Sequence, residues 1–161
     1  MATAKEDMEK WDSILDDYES GIGLPRYKAD NLPEDELQNY LTMDRNAIEK
    51  LTSLDCSEIS LRLTQFAFHV QRTLNREIAR YNWAEDLIKD VIADEVNNYK
   101  GYGYLEKSGQ AIKHNQKAST LNSIKRYAKQ RMDRLSYLAN CIKNLSDNIQ
   151  SIQINKVKNG S

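Results

Sequence analysis

The sequence predicts an all-α fold: an elongated bundle in which a long antiparallel helical hairpin is joined by short acidic N-terminal helices. Both prolines lie near the start of the 161-residue chain, so no proline interrupts the residues after Pro33. Apolar residues recur every three or four positions, which is the period of one helix face. A mean hydropathy of −0.74 with 29% charged residues leaves room for a narrow core only, and long thin helices suit such a core. We expect one domain over residues 1–161.

The first 43 residues are predicted to form two short acidic helices and a linker. Apolar positions from Met8 to Tyr18 indicate a helix over residues 5–20, which Gly21 ends. Residues 21–33 hold four of the chain's eight Gly and Pro residues and are predicted to be the linker. Pro33 suits the first turn of a second helix through Met43, because its missing N–H would be unpaired there.

Residues 44–161 are predicted to form the hairpin core. A short helical turn is expected over 44–54, and Asp55 and Glu58 then have the spacing of a capping box that starts a long helix. Its apolar stripe comprises Ile59, Leu63, Phe66, Val70, Leu74, Ile78, Tyr81, Ile88, Ile92, Val96 and Tyr99. About forty residues would form a rod of roughly 60 Å, ended by the Gly- and Tyr-rich segment 99–104.

One continuous helix is expected over residues 108–154. Its stripe comprises Leu121, Ile124, Ala128, Met132, Leu135, Ala139, Ile142, Leu145, Ile149 and Ile152, with coiled-coil-like spacing from Ala128 to Ile142. The two long helices are predicted to pack antiparallel. Because a two-helix hairpin leaves much of each stripe exposed, the short helices or another copy must cover the rest, and we expect a homo-oligomer.

Cysteine content and hydropathy predict the setting of the protein. Cys56 and Cys141 are too few and too distant for a disulfide framework or a metal knuckle, which favours a reducing, cytoplasmic location. The chain shows no signal-like N-terminus and no apolar run of membrane length, so we expect no export and no membrane partner.

The charges are sorted along the chain. Residues 1–60 hold 15 acidic and 6 basic side chains, residues 61–100 hold 6 of each, and residues 101–161 hold 3 acidic and 11 basic. An acidic front with a basic back is typical of a chain whose back contacts a polyanion or the front of another copy.

Three acidic residues offer the only pattern that suggests a metal-dependent reaction. Asp86, Asp90 and Asp94 stand four residues apart on one predicted helix face, and like charges at this spacing repel unless a metal binds them. The alternative is a solvated face in which Lys89 pairs with Glu85. Because the helix over 108–154 lacks a second acidic motif and the two histidines lack ligand partners, we predict no enzyme activity, no metal and no cofactor.

The basic segment is the stronger signal. Its members fall within 28 positions that contain one acid, and they are Lys107, Lys113, Lys117, Lys125, Arg126, Lys129, Arg131 and Arg134. Uncompensated positive charge of this kind favours phosphate binding through counterion release. On a helical wheel these residues flank the apolar stripe on both sides, which indicates a broad positive surface. The alternative is that they pair with the acidic N-terminal helices.

Three tyrosines at the predicted corner interleave with cations. Tyr99, Tyr102 and Tyr104 alternate with Lys100 and two glycines. Exposed tyrosines beside lysines would stack unpaired bases while the cations hold the nucleic-acid backbone. The alternative is that the tyrosines cap the core at a helix corner.

Residues 87–103, Leu-Ile-Lys-Asp-Val-Ile-Ala-Asp-Glu-Val-Asn-Asn-Tyr-Lys-Gly-Tyr-Gly, resemble the middle of the UvsY-type recombination mediators of tailed phages. The resemblance covers about residues 65–155 and implies an oligomeric helical protein that binds single-stranded DNA. Members of that family are Lys-rich before the turn, whereas this chain is acidic there. The implied DNA contact is therefore limited to Tyr99, Lys100 and the basic residues that follow.

These observations predict a non-enzymatic, phage-type accessory protein that binds single-stranded DNA in recombination or replication, through Tyr99 to Arg134. The second hypothesis is a helical structural or adaptor protein of phage assembly that acts through oligomerisation or a protein partner. The third is a metal-dependent hydrolase that uses the Asp86 row. We also expect the acidic front to compete with a polyanion for the basic segment.

Overall fold

The computed structural model describes residues 3–24 and 34–159, and every regular element in these ranges is helical, which confirms the all-α class. The helices are α1 (Ala4–Gly21), α2 (Glu34–Leu41), α3 (Arg45–Lys50), α4 (Ser53–Ile92), α5 (Tyr104–His114), α6 (Gln116–Leu135) and α7 (Leu138–Lys158). Pro33 and most of the predicted linker lie outside the described residues. None of the helices in the described part is both long and apolar enough to cross a lipid bilayer.

The long helix α4 begins earlier than the sequence predicted. Thr52 is its N-cap: the Thr52 hydroxyl accepts a hydrogen bond from the Asp55 amide (3.1 Å), and the Asp55 carboxylate accepts one from the Thr52 amide (2.8 Å). The predicted capping box of Asp55 with Glu58 is therefore wrong, because Asp55 is the third residue of a box that starts at Thr52. The hydrogen bonds from Thr52 lower the pKa of Asp55.

The other end of α4 also differs from the prediction. The helix ends at Ile92, and a 3₁₀ turn, Val96–Asn98, precedes the Gly- and Tyr-rich segment. The length of 40 residues agrees with the expected rod, since the early start offsets the early end.

The predicted continuous helix over 108–154 is wrong, because the segment forms α5, α6 and α7. Asn115 separates α5 from α6: its side-chain oxygen accepts a hydrogen bond from the Ala118 amide (3.0 Å), and its side-chain nitrogen donates one to Glu95 (3.1 Å). Asn115 is therefore a helix cap rather than a helix-interior residue. Tyr137, in the left-handed region at φ 66°, separates α6 from α7.

The contacts of the chain divide into two compact units. The α1 unit comprises residues 1–26 and 75–133, and the α7 unit comprises residues 27–74 and 134–161. The chain passes between the units within α4 and again near the end of α6. The single domain stays a prediction, within which these two units each have a core.

The core of the α7 unit lies between the first half of α4 and α7. It contains Cys56, Ile59, Leu63, Ala67, Val70, Ala139, Ile142 and Ile149. Small polar residues allow the two helices to approach closely: the Ser146 hydroxyl donates to the Ser60 carbonyl (2.7 Å) and lies 2.9 Å from the Thr64 hydroxyl. These hydroxyls are satisfied inside the packing, so their burial is tolerated.

The core of the α1 unit joins the second half of α4 to α5 and α6. Its buried members are Ala4, Ile88, Ile92, Val96, Ala111, Ala118 and Leu121. Leu121 is completely buried, and burying such a side chain stabilises the fold by about 1.5–3 kcal/mol. The apolar stripes predicted for residues 59–99 and 121–152 thus supply most of both cores, although Ile78 is exposed.

Candidate functional site

The segment from Tyr99 to Lys107, which we call the tyrosine turn, has a fixed backbone. The Glu106 carboxylate accepts a hydrogen bond from the Tyr102 amide (3.1 Å), and the Gln110 side chain donates one to the Lys100 carbonyl (3.0 Å). Gly101 packs closely on Glu106, because a Cβ at this position would lie 3.1 Å from a carboxylate oxygen. Both hydrogen bonds join the part of the turn that precedes Tyr104, where α5 begins, to side chains of α5.

The three predicted stacking tyrosines separate into two groups. Tyr102 is fully exposed at 108%, and Tyr104 is exposed at 63%. Their neighbour Leu105 is exposed at 87%, so the start of α5 presents three adjacent large side chains to solvent. Tyr99 is half-buried against the core of the α1 unit and stacks on His114, with ring centroids 5.6 Å apart. Tyr99 therefore fits the core-capping alternative, whereas Tyr102 and Tyr104 are available for stacking.

Five of the predicted cations form no ion pair with any described residue. Four belong to the α1 unit, and they are Lys100, Lys107, Lys113 and Arg126; the fifth, Arg134, belongs to the α7 unit. Lys107 is half-buried and the other four are exposed. Lys100 and Lys107 belong to the tyrosine turn itself, so the exposed rings and two cations without acidic partners come from one short segment.

The other four predicted cations are paired inside the molecule. The ion pairs are Lys117 with Asp7 (2.7 Å), Lys125 with Glu85 (2.9 Å), Lys129 with Asp133 (2.9 Å) and Arg131 with Glu77 (2.8 Å). The hydrogen bond from Lys125 lowers the pKa of Glu85, and the one to Asp133 raises the pKa of Lys129. Of these four cations only Lys117 pairs with the acidic N-terminal helix. The alternative in which the basic segment pairs with the acidic N-terminal helices therefore holds for Lys117 and not for the other three. Because these four cations are paired with carboxylates, the surface of unpaired positive charge is smaller than the sequence predicted.

The acidic residues of α1 contact arginines that the sequence analysis did not single out. Asp12 accepts two hydrogen bonds from Arg80 (2.7 and 3.1 Å), and Asp16 accepts one from Arg76 (2.6 Å). The bond to Asp12 raises the pKa of Arg80. A signal was present in the sequence: two aspartates four residues apart on one helix match two arginines four residues apart on another.

Glu77 on α4 is the most buried carboxylate of this network, with its side chain 6% exposed. Arg80 donates a hydrogen bond to one carboxylate oxygen (2.8 Å), and Arg131 lies 2.8 Å from the other without the alignment of a hydrogen bond. Removing an arginine would leave the buried Glu77 charge less compensated, although the Arg131 side chain is 47% exposed and its pair is partly screened by solvent. The pair is therefore a structural contact between α4 and α6.

The residues proposed for a hydrolase lie on an exposed helix face. Asp86, Asp90 and Asp94 are exposed on or just after α4. Lys89 pairs with Asp86 (3.1 Å) and not, as predicted, with Glu85. Within residues 3–24 and 34–159, no three His, Cys, Asp or Glu side chains are grouped to hold a metal ion.

A cleft of about 520 Å³ opens where the N-termini of α1 and α6 meet. Its walls carry both signs of charge, with Lys5 and Lys117 beside Glu95. His114, which lines the cleft, is the partner of Tyr99 in the stacked pair. The cleft is thus adjacent to the tyrosine turn, because His114 lines the cleft and also contacts Tyr99.

In the fold, acidic and basic segments of the chain come together within each of the two units. The α1 unit holds 15 acidic and 14 basic residues, and the α7 unit holds 9 of each. Each unit therefore joins a front segment to a back segment of opposite charge. The dipole along the sequence does not become a charge difference between the units.

No protein-family model matches the chain, and no curated protein and no solved structure matches it. The resemblance of residues 87–103 to the UvsY-type mediators stays a prediction.

Proposed function

We propose that this protein is a non-enzymatic accessory protein that binds single-stranded nucleic acid through the tyrosine turn. The observation that supports this proposal is the full exposure of Tyr102, at 108%, on a backbone fixed by hydrogen bonds. Tyr104 adds a second exposed ring, and Lys100 and Lys107 add positive charge that forms no ion pair with a described carboxylate.

The chemistry of this segment suits single strands better than duplexes. Every base has a π-face, so exposed tyrosines stack bases with little sequence preference, whereas bases in a duplex are already stacked. Lysines beside the rings attract the phosphate backbone and make binding dependent on salt. The four internally paired cations need not contribute, so we expect a small contact of few phosphates.

Substitution of Tyr102 tests the proposal. Stacking contributes about 1–3 kcal/mol per base, so Tyr102→Ala is expected to weaken binding of a labelled oligothymidine by about 5- to 150-fold. The melting temperature is expected to stay unchanged, because the ring is solvated. Tyr127→Ala, at an exposed tyrosine of α6, is the control and is expected to bind like the wild type. Binding measured by fluorescence anisotropy at about 50 mM salt checks both variants; no binding by the wild type would contradict the proposal.

The process in which the protein acts is proposed from the resemblance alone. A single-strand-binding helical protein similar to the UvsY-type mediators would assist recombination or replication in the cytoplasm of a phage-infected cell. We propose this context for the tyrosine turn and transfer no contact with a recombinase.

A second candidate function is a structural or adaptor role through self-association. Leu54, Leu61 and Phe68 lie seven residues apart on α4 and are 76%, 59% and 55% exposed. A heptad-spaced apolar stripe is typical of helices that pair with another helix. An antiparallel pairing of two copies centred on Leu61 would place each Leu54 opposite the Phe68 of the other copy, as a two-fold interface requires.

Sedimentation tests this second candidate. Leu61→Lys is expected to convert an oligomer into monomers, because it places two like charges at the centre of the pairing. Asn82→Lys adds the same charge at an exposed position of α4 that lies 21 residues beyond Leu61 and outside the paired stretch, and it is the control. Analytical ultracentrifugation that shows a monomeric wild type at about 100 μM would exclude this candidate.

A further inference from the structure

Helix α1 is attached to the rest of the α1 unit mainly by charge. Asp12 and Asp16 bind Arg80 and Arg76, and Asp7 binds Lys117. All six side chains are between 21% and 33% exposed, so these pairs are weakened by salt more than fully buried pairs would be. Salt is therefore expected to weaken the attachment of α1.

Only Ala4 of α1 is fully buried. Met8, Trp11 and Leu15 are half-buried, whereas Ile14 and Tyr18 are 57% and 63% exposed. Trp11 stacks on Trp83 with ring centroids 5.7 Å apart. Beside this pair an open groove of about 290 Å³ remains between α1 and α4. Because most of the stability of a helix in a protein comes from tertiary packing, release of α1 is expected to unfold the helix.

The surface that α1 covers contains two arginines, one lysine and one tryptophan. Arg76, Arg80 and Trp83 follow one another at helical spacing along α4, and Lys117 comes from α6. We call these four residues the α1-covered surface. Guanidinium groups bind phosphates with the same forked geometry that they use for carboxylates. An indole face next to them stacks an unpaired base.

We propose that α1 is a displaceable acidic helix, and that single-stranded nucleic acid replaces it on the α1-covered surface. This inference rests on the proposed function and adds to it a second contact and a form of regulation. The aspartates of α1 occupy the positions that phosphates take in the bound state. The acidic front therefore competes for α4, and not mainly for the basic residues after the tyrosine turn.

Competition of this kind has a measurable effect on affinity. If the α1-covered surface is open in only a fraction of the molecules, the apparent affinity falls by that fraction. A change that weakens the attachment of α1 and leaves the cations in place is therefore expected to raise the affinity for nucleic acid. Removing the cations releases α1 equally but also removes the phosphate contacts, so binding is not expected to tighten.

Three full-length variants separate these effects. Asp12→Asn with Asp16→Asn releases α1 and keeps the α1-covered surface. Arg76→Gln with Arg80→Gln releases α1 and loses two cations of that surface. Asp17→Asn removes an exposed charge of α1 that forms no ion pair with a described residue, and it is the matched control. Circular dichroism verifies that the variants that release α1 lose no more helical signal than the 18 residues of α1 account for.

Two measurements are made on every variant: affinity for a labelled oligothymidine, and amide hydrogen exchange of residues 4–21. The aspartate variant is expected to bind at least about fivefold more tightly, with fast exchange in α1 before any oligonucleotide is added. The arginine variant is expected to show fast exchange without tighter binding. Saturating oligonucleotide is expected to accelerate exchange of α1 in the wild type and in Asp17→Asn.

Four outcomes would overturn the inference. Wild-type protein that binds the oligonucleotide while α1 stays protected shows that the tyrosine turn binds alone, which leaves the proposed function intact. An aspartate variant with fast exchange and unchanged affinity shows that the α1-covered surface takes no nucleic acid. An aspartate variant that sediments as an oligomer with α1 protected shows that α1 of another copy is the occupant. If neither the wild type nor the aspartate variant binds, the proposed function and the inference both fail.

Discussion

At the scale of single residues, Tyr40 has a distinct environment in the α7 unit. Its hydroxyl donates a hydrogen bond to Glu36, which also accepts one from Arg62 (2.6 Å). Burial, together with the bond to Glu36, raises the pKa of Tyr40 from 10.0 to about 12. The Tyr40 phenol therefore binds its proton more strongly in the folded protein than in the unfolded chain.

The shift predicts how stability depends on pH. Because the pKa is raised, the contribution of Tyr40 is fully present below pH 10 and is lost as the pH rises toward about 12. Tyr40→Phe lacks this contribution, so the difference in free energy of unfolding between wild type and variant is expected to shrink over that interval. Urea denaturation at several pH values measures it. Tyr127→Phe, at an exposed ring, is expected to show no such trend; a constant difference for Tyr40→Phe would contradict the prediction.

At the scale of elements, the cap of α4 explains why one helix boundary was misplaced. The sequence offers two overlapping boxes, Thr52 with Asp55 and Asp55 with Glu58, and spacing alone does not choose between them. In the fold, Arg62 binds Glu58 (3.0 Å), so the Glu58 carboxylate forms an ion pair along α4 rather than a cap at its start. Thr52 and Asp55 bind each other's amides instead.

Removal of this cap has a predictable cost. Thr52→Ala is expected to lower the free energy of unfolding by about 1 kcal/mol, because an N-terminal amide of α4 loses its partner. Ser53→Ala, one residue further on, is the control and is expected to change it by less than about 0.5 kcal/mol. Chemical denaturation of both variants measures the difference. Equal stabilities would mean that solvent satisfies the amide as well as Thr52 does.

The break between α6 and α7 could not be predicted from periodicity. Leu135 and Ala139 keep the helical step of four across the break, and Tyr137 has no sequence signature of a left-handed residue, which is usually Gly or Asn. By contrast, the glycines of residues 99–104 predicted a break between helices there, and the structure has one, although α4 already ends at Ile92. The matching four-residue spacings of Asp12 with Asp16 and of Arg76 with Arg80 are visible in the sequence, but the sequence does not say which helices become neighbours, so the ion pairs themselves appear only in the fold.

At the scale of the whole molecule, the charge sorting in the sequence becomes local neutralisation. Acidic and basic counts differ by one in the α1 unit and are equal in the α7 unit. The front and back of the chain are thus partners within each unit. The expected contact of the acidic front with basic residues is present, but α4 provides Arg76 and Arg80 to this contact, beside Lys117 of α6.

This arrangement predicts a salt-dependent stability. Raising the concentration of sodium chloride from about 0.05 to 0.5 M screens partly exposed pairs, so the urea midpoint followed by circular dichroism is expected to fall. The variant with Asp12→Asn and Asp16→Asn has already lost two of these pairs, and its midpoint is expected to depend less on salt. A wild-type midpoint that rises over the same range would show that screened repulsion outweighs the pairs.

The core position of Cys56 has a practical consequence for observing this molecule. The chain has two cysteines, and Cys56 is completely buried in the α7 unit whereas Cys141 is exposed. A thiol reagent therefore modifies Cys141 at once and Cys56 only when that core opens. The two tryptophans of the chain are stacked on each other in the α1 unit. Each unit thus contains its own natural reporter, and local opening of either one is observable without introducing a label.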